Sequence, residues 1–191
     1  MDIAGRAKGL ILNPRTEWMR IAPEGGLPMD HFRGYAVPMA AIPVICNFIG
    51  SLLLGGMLAA AGVGRPGIVG ALLVAVVSYV LSLVGVIIIA KLVETLAPSF
   101  GGTADPLSAM KLAVYSPTAS WLAGIFALIP FLGFLAILGL YSIYIYWVGV
   151  PIVTRVPEDR RLGFTAVLVI CAIVINIIIG ALAGIVVGLA F

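Results

Sequence analysis

The stretch YSPTASWLAGIFALIPFLGFLAILGLYSIYIYWVGVPIV, residues 115–153, contains no Asp, Glu, Lys, Arg or His and carries IPFLGF near its middle, at 129–134. It forms either one overlong membrane helix or two arms joined by a tight turn. As one helix, the 37 residues of 117–153 would be about 55 Å long. The hydrocarbon core of a bilayer is about 30 Å thick. Because tilting cannot absorb such an excess, the length predicts two arms.

The composition places most of the chain in lipid. Hydrophobic residues make up 62% of the sequence and charged residues 10%, and the mean hydropathy is +1.21. A soluble domain is about half apolar and about a quarter charged. The apolar runs are continuous rather than alternating, which excludes the strands of a membrane β-barrel and favours helices. The predicted fold class is therefore all-α, a polytopic integral membrane protein.

The apolar runs divide the chain into a polar N-terminal segment and a membrane domain. The N-terminal segment is residues 1–34, and the membrane domain is residues 35–191. The prediction is a five-transmembrane-helix bundle with short cytoplasmic interfacial helices. The predicted spans are 37–61, 68–90, 117–133, 135–153 and 162–187.

The positive charges favour this count of spans. With five spans and a cytoplasmic N-terminus, ten of the eleven Lys and Arg residues are cytoplasmic and only Arg65 lies outside. If residues 115–153 crossed once, the loop with Arg155, Arg160 and Arg161 would move outside, and the split would be seven against four. Cytoplasmic loops carry the positive excess. The sequence thus predicts a cytoplasmic N-terminus and a non-cytoplasmic C-terminus.

Two short segments are predicted to be helices at the membrane surface. Asn13 and Pro14 suit the start of a helix that carries Trp18, and Asp105 with Pro106 suits the start of a second one. Trp and Tyr prefer the headgroup level, so the aromatic residues near the cytoplasmic side predict a one-sided interfacial belt. Its predicted members are Tyr35, Tyr115, Trp121, Tyr144, Tyr146 and Trp147. Trp18 on the N-terminal helix is separately predicted to contact the membrane, and Ser116 and Pro117 are also predicted to be interfacial.

The last predicted span carries a ladder of small residues. Gly180, Gly184 and Gly188 lie four residues apart and therefore on one helix face, where another helix can approach closely. A contact inside the chain is favoured over a dimer seam. Asn47 and Asn176 lie inside the first and last spans and need a partner in lipid, either each other or a backbone carbonyl.

The residues that usually carry chemistry are missing from the predicted spans. None has a central charged residue or His, and Cys46 and Cys171 have no metal-ligand spacing. The net charge of +3 comes without a basic run of the kind that binds nucleic acid. The sequence therefore predicts no enzyme, no cofactor, no metal and no nucleic-acid partner.

The order of motifs resembles the Yip family, named for Ypt/Rab-interacting proteins, and is most similar to its short bacterial members. The resemblance rests on Asn13-Pro14-Arg15 with Trp18, on Gly101-Gly102, on Tyr115-Ser116-Pro117, and on 141–149. It implies five membrane helices, a cytoplasmic N-terminus and a bacterial inner membrane. Eukaryotic members bind Rab-type GTPases, but the chain lacks their Asp-Leu-Tyr-Gly-Pro type segment, so that activity is not carried over.

Two functions from different classes fit the sequence. The first is a non-enzymatic scaffold that binds lipid, other membrane proteins or a second copy of itself through the glycine ladder and the interfacial segments. The alternative is a homo-oligomeric transporter or channel. It predicts a polar cavity lined by Asn47, Ser78, Tyr79 and Asn176.

Overall fold

The computed structural model describes residues 2–60 and 67–190, and these residues form helices and turns with no β-strand. Nine segments are α-helical, counted within that described part of the chain. A π-helical turn, Phe32–Ala36, joins α3 to α4. The α-helices are α1 Ile3–Leu12, α2 Pro14–Ile21, α3 Pro28–His31, α4 Val37–Ala60, α5 Ile68–Leu96, α6 Pro106–Tyr115, α7 Thr118–Ala123, α8 Tyr141–Thr154 and α9 Glu158–Ala190.

Two of the short surface helices, α2 and α6, start where the sequence signals predict, and α1 was not predicted. The Asp2 side chain accepts a hydrogen bond from the Gly5 amide at 2.9 Å, which caps α1. Asp105 does the same for α6, because its Oδ1 accepts from the Ser108 amide at 2.6 Å. Such bonds satisfy amides that the first helical turn leaves without partners. Asn13 stands at the start of α2, but its side chain makes no capping bond.

Four helical stretches have the length and apolar composition of membrane spans among the described residues. Their outward faces are strongly apolar, and Val69, Phe131 and Ile177 are all more than 60% exposed. Exposed apolar surface on this scale is stable only against lipid. The chain is therefore an integral membrane protein. The candidate spans are Pro28–Met57, Ile68–Leu96, Phe131–Thr154 and Glu158–Ile185.

The stretch at 115–153 folds back on itself, as its length predicts. The backbone leaves the helical region at Ile129, with φ −111° and ψ 111°, and a 3-10 helix starts at Pro130. The two arms then run side by side. The Ser120 hydroxyl donates to the Gly139 carbonyl at 2.9 Å, and the Ser120 amide donates to the Ser142 hydroxyl at 2.9 Å. Residues 120 and 139 are almost equally far from Ile129, so the turn is centred there.

The first arm of this hairpin is shorter than the predicted span 117–133. It consists of α7, six residues, and the 3-10 helix Gly124–Leu128, five residues. These lengths correspond to about 9 Å of α-helix and about 10 Å of 3-10 helix, together well below the ~30 Å of a hydrocarbon core. Because Ile129 ends this arm early, the five-span count is not confirmed.

The charged loops meet at one end of the helices. α5 and α9 run antiparallel, since Gly85 lies against Ile175 and, nearer that end, Phe100 contacts Phe164 at 5.3 Å between ring centroids. The Thr103 amide donates to the Thr154 carbonyl at 2.7 Å, which ties the loop after α5 to the end of α8. Arg65 lies outside the described residues.

This arrangement predicts which sites share a side of the membrane. With Cys46 and Cys171 replaced by alanine, single cysteines at Lys8 and Arg160 should react with an impermeant maleimide from the same side. A cysteine at Gly67, at the other end of α5, should react only from the opposite side. Labelling of Lys8→Cys and Arg160→Cys from opposite sides would contradict the fold.

Candidate functional site

Trp18 on α2 is inserted into the protein and has no exposed surface. Its indole Nε1 donates a hydrogen bond to the Ile145 carbonyl on α8 at 3.0 Å. Gly149, one turn further along α8, makes room for the ring. A Cβ built on Gly149 would lie 2.5 Å from Trp18 Cε2, closer than carbon atoms approach without moving. The sequence placed the Trp18 side chain against the membrane, and its burial corrects that prediction.

Tyr115, at the end of α6, stands at the centre of an aromatic cluster. The ring centroids of Trp18 and Tyr35 lie 6.2 Å and 4.8 Å from that of Tyr115. Tyr35 also contacts Trp121, with centroids 6.4 Å apart. These distances are typical of favourable aromatic pairs. Most of the predicted belt is therefore an internal cluster beneath the N-terminal segment, and only Tyr144 of its members is strongly exposed.

Hydrogen bonds satisfy the polar atoms of this cluster. The Tyr115 hydroxyl and His31 Nδ1 are 2.8 Å apart, and the hydroxyls of Tyr35 and Thr118 are 2.9 Å apart. The Thr118 hydroxyl also lies 2.6 Å from the Tyr115 carbonyl. Burial raises the pKa of the Tyr115 hydroxyl, which therefore stays neutral. Buried polar groups paired in this way fix one packing arrangement, because each would be costly without its partner.

Charged side chains fasten the N-terminal segment over the cluster. Arg6 Nη1 donates to Glu17 Oε1 at 2.8 Å, and Arg6 also bonds Glu24. The Arg6 guanidinium lies 5.6 Å from the Tyr115 ring centroid, within the range of a cation–π contact. Arg6 thus pairs with both carboxylates while its guanidinium faces the Tyr115 ring.

Lys111 ties α6 to the same segment and is 1% exposed. Its ammonium donates to the Ala22 carbonyl at 2.9 Å and to the Glu24 carbonyl. Burial lowers the pKa of this ammonium. The contacts are structural ones, because the bonded acceptors are backbone carbonyls. The sequence predicted an interfacial helix at this position but not a buried lysine.

The other predicted interfacial residues occupy varied positions. Ser116 is fully buried, and Pro117, just before α7, is half-buried. The Ser116 hydroxyl makes no hydrogen bond within the described part of the chain. Trp147 is half-buried under the guanidinium of Arg161, 4.1 Å from its ring centroid. Arg161 Nε also donates to the Trp147 carbonyl at 2.7 Å, a contact that the sequence did not reveal.

The two membrane asparagines do not meet. The Asn47 amide donates to the Pro43 carbonyl and that of Asn176 to the Ala172 carbonyl, each at 2.8 Å within its own helix. Both residues are exposed on the outer surface of the helices. Tyr79 donates instead to the Val37 carbonyl at 2.9 Å. The polar cavity that a transporter needs is therefore not assembled from these side chains.

Gly180 and Gly184, two members of the glycine ladder, face outward. A Cβ built on Gly180 or Gly184 meets no described atom within 4 Å, so no described helix of this chain covers either position. The surroundings of Gly188 lie outside the described residues. Whether this face contacts a partner stays a prediction.

The described residues bring together no constellation of acid, base and nucleophile around a cleft. Among them, no group of three or more His, Cys, Asp or Glu side chains is placed to hold a metal. What they build is a closely packed platform at one end of a lipid-exposed helical domain. The fold and this platform define a polytopic helical membrane protein whose own N-terminal segment is folded onto its helix ends.

The chain belongs to the Yip1 domain family, whose sequence profile matches residues 8–179. It is similar to the inner membrane protein YohC of Escherichia coli K12, with 27% identity over 162 residues that cover 83% of each chain. YohC of the Escherichia coli strain CFT073 is similar to the same extent. No solved structure matches the chain. The resemblance found in the sequence is thus confirmed.

The slot for Trp18 gives a stability prediction. Gly149→Ala should lower the free energy of unfolding by about 1–3 kcal/mol, because the new methyl group forces the indole or α8 to move. The measurement is a denaturant titration of the purified protein in mild detergent. Gly56→Ala is the matched control, since a Cβ there meets nothing within 4 Å. Equal stability of the two variants would show that the slot is not tight.

Proposed function

We propose that this protein is a non-enzymatic membrane scaffold of the Yip type, which binds other membrane proteins or organises lipid. The observation that carries the proposal is the platform itself. The polar groups of Arg6, Lys111 and Tyr115 form hydrogen bonds that hold the N-terminal segment in place. Side chains used in this way support a fixed surface rather than a reaction.

The second support is the outward face of α9. Gly180 and Gly184 are uncovered, and Asn176 lies one turn before them on the same side of the helix. Small residues let helix backbones approach closely in lipid, and an amide can bond across such a contact. We assign this face to a partner helix, from another membrane protein or a second copy of this chain.

The proposed location is a bacterial inner membrane, by analogy with the protein named YohC. In the proposed topology the N-terminal segment and the loop with Arg160 are cytoplasmic, because positive charges concentrate there. The hairpin of residues 117–153 enters the membrane and returns to the cytoplasmic side. The C-terminal end of α9 is non-cytoplasmic. Membrane lipids are the surrounding partner, and nothing supports a Rab-type GTPase.

The transporter reading has less support. It needs Asn47 and Asn176 to line one cavity, whereas both are exposed on the outer surface of the helices and each bonds its own backbone. The scaffold reading needs no such cavity.

Co-purification with a matched variant tests the scaffold. The tagged full-length protein is extracted in mild detergent, and the proteins that accompany it are quantified by mass spectrometry against an isotope-labelled standard. Gly180→Leu with Gly184→Leu should reduce specific partners, or a second copy of the chain, by about tenfold, as loss of ~1.4 kcal/mol of helix packing implies.

Ala181→Leu is the control, because it introduces the same side chain at an exposed position on another face of α9. The scaffold assignment to α9 fails if wild-type protein emerges alone, or if the double variant and the control retain the same partners.

A further inference from the structure

A cavity of about 410 Å³ lies at the C-terminal end of α8. Three segments form it, and none of the sequence motifs pointed to it. Its size falls within the range of small-ligand sites. The lining residues are Ala22, Pro23, Thr103, Asp105, Ser108, Ile152, Val153 and Arg155.

The cavity carries one positive and one negative side chain that do not neutralise each other. Arg155 and Asp105 both line it, yet they form no ion pair with one another among the described residues. The Asp105 carboxylate accepts hydrogen bonds from the Ser108 amide, the Ser108 hydroxyl and the Leu107 amide. A carboxylate has about four acceptor positions, so one remains for a ligand donor. These bonds, led by that from the Ser108 amide, hold the pKa of Asp105 below its usual range, so the carboxylate stays charged.

The backbone holds Arg155 in place at the cavity. Arg155 has φ 53° and ψ 24°, the one left-handed conformation of a non-glycine residue in the described chain. The preceding carbonyl, that of Thr154, accepts from the Thr103 amide at 2.7 Å. Gly102 packs so closely that a Cβ there would lie 2.6 Å from the Thr154 oxygen. The cationic and hydroxyl-bearing walls are therefore joined directly.

The position of the cavity fits the headgroup level of a bilayer. Arg155 immediately follows the candidate span Phe131–Thr154 and precedes the next one, which begins at Glu158. Ile152 and Val153, from the last turn of α8, supply an apolar wall toward the membrane. Thr103 and Ser108 supply hydroxyl groups on the polar side. One side of the cavity thus suits acyl and glycerol carbons and the other a charged group.

We propose that this cavity binds the headgroup of a zwitterionic phospholipid of the ethanolamine class. The Arg155 guanidinium binds the phosphodiester, since Arg matches phosphate geometry. The Asp105 carboxylate accepts hydrogen bonds from the ammonium group. Arg155 and Asp105 balance in charge among the lining side chains, and the nearby Lys111 ammonium is bonded to the Ala22 and Glu24 carbonyls. An anionic headgroup would therefore leave Asp105 without a bonded cation. The proposal deepens the lipid part of the proposed function and does not depend on the α9 face.

Native mass spectrometry of the full-length protein in mild detergent tests the site. Phosphatidylethanolamine and phosphatidylglycerol are titrated separately into wild-type protein and variants. Wild type should bind phosphatidylethanolamine about fivefold more tightly, the effect expected of one charge contact near a membrane surface. Asp105→Asn keeps a capping side chain but removes the charge, and should abolish this preference. Arg155→Asn tolerates the left-handed backbone and should weaken binding of both lipids.

Asp159→Asn and Arg33→Gln remove the same charges outside the cavity and should behave as wild type. Thermal unfolding without added lipid verifies that each variant is folded, and Asp105→Ser replaces Asp105→Asn if the latter is not. An unchanged lipid preference in the folded Asp105 variant, or unchanged affinity for both lipids in the folded Arg155 variant, would overturn the proposal. Binding of soluble phosphoethanolamine as tightly as the lipid would overturn the assignment to a membrane lipid.

Discussion

The structure depends on the insertion of Trp18 between α8 and Tyr115. Without a side chain at Gly149 the indole reaches the Ile145 carbonyl, and burial of so large an aromatic group contributes about 1.5–3 kcal/mol. The N-terminal segment then covers Tyr115 and can place Arg6 over its ring. A surface element of modest helix propensity thereby becomes part of the core, because tertiary packing stabilises short helices that are marginal alone.

The molecule has two regions whose side chains lie in different surroundings. Around Trp18 and Lys111 the core is closely packed, with polar groups paired inside it. Toward the other end of α5 and α9 the apolar side chains face outward, as at Val69 and Ile177. The first region is stabilised by contacts within the protein, and the second by contact of its apolar side chains with lipid. A rigid, charged end on a lipid-exposed helical domain is the physical basis for the proposed accessory role.

The features that the sequence predicted correctly depend on composition, length and local signals. Apolar content specified membrane helices, the length of 115–153 required a reversal, and Asp105 marked the start of α6. The main error concerns what the Trp18 side chain packs against, which is the protein rather than the membrane. Periodicity shows that Trp18 lies on an apolar helix face. The same face suits packing in a protein groove and contact with a membrane interface, so the pattern cannot distinguish the two. The early end of the first hairpin arm at Ile129 does have a local signal, because Pro130 disfavours helical backbone at the residue before it, but the predicted span 117–133 placed the end of the arm beyond that proline.

Hydrogen–deuterium exchange of the full-length protein in mild detergent, read by mass spectrometry, tests the docking of the N-terminal segment most directly. Amides of α1 and α2 should exchange as slowly as those of α6, because the segment opens only when the core around Tyr115 opens. Trp18→Ala should speed exchange in α2 and leave the far ends of α5 and α9 unchanged. Exchange of α1 and α2 at the rate of an unstructured peptide in the wild-type protein would contradict the account.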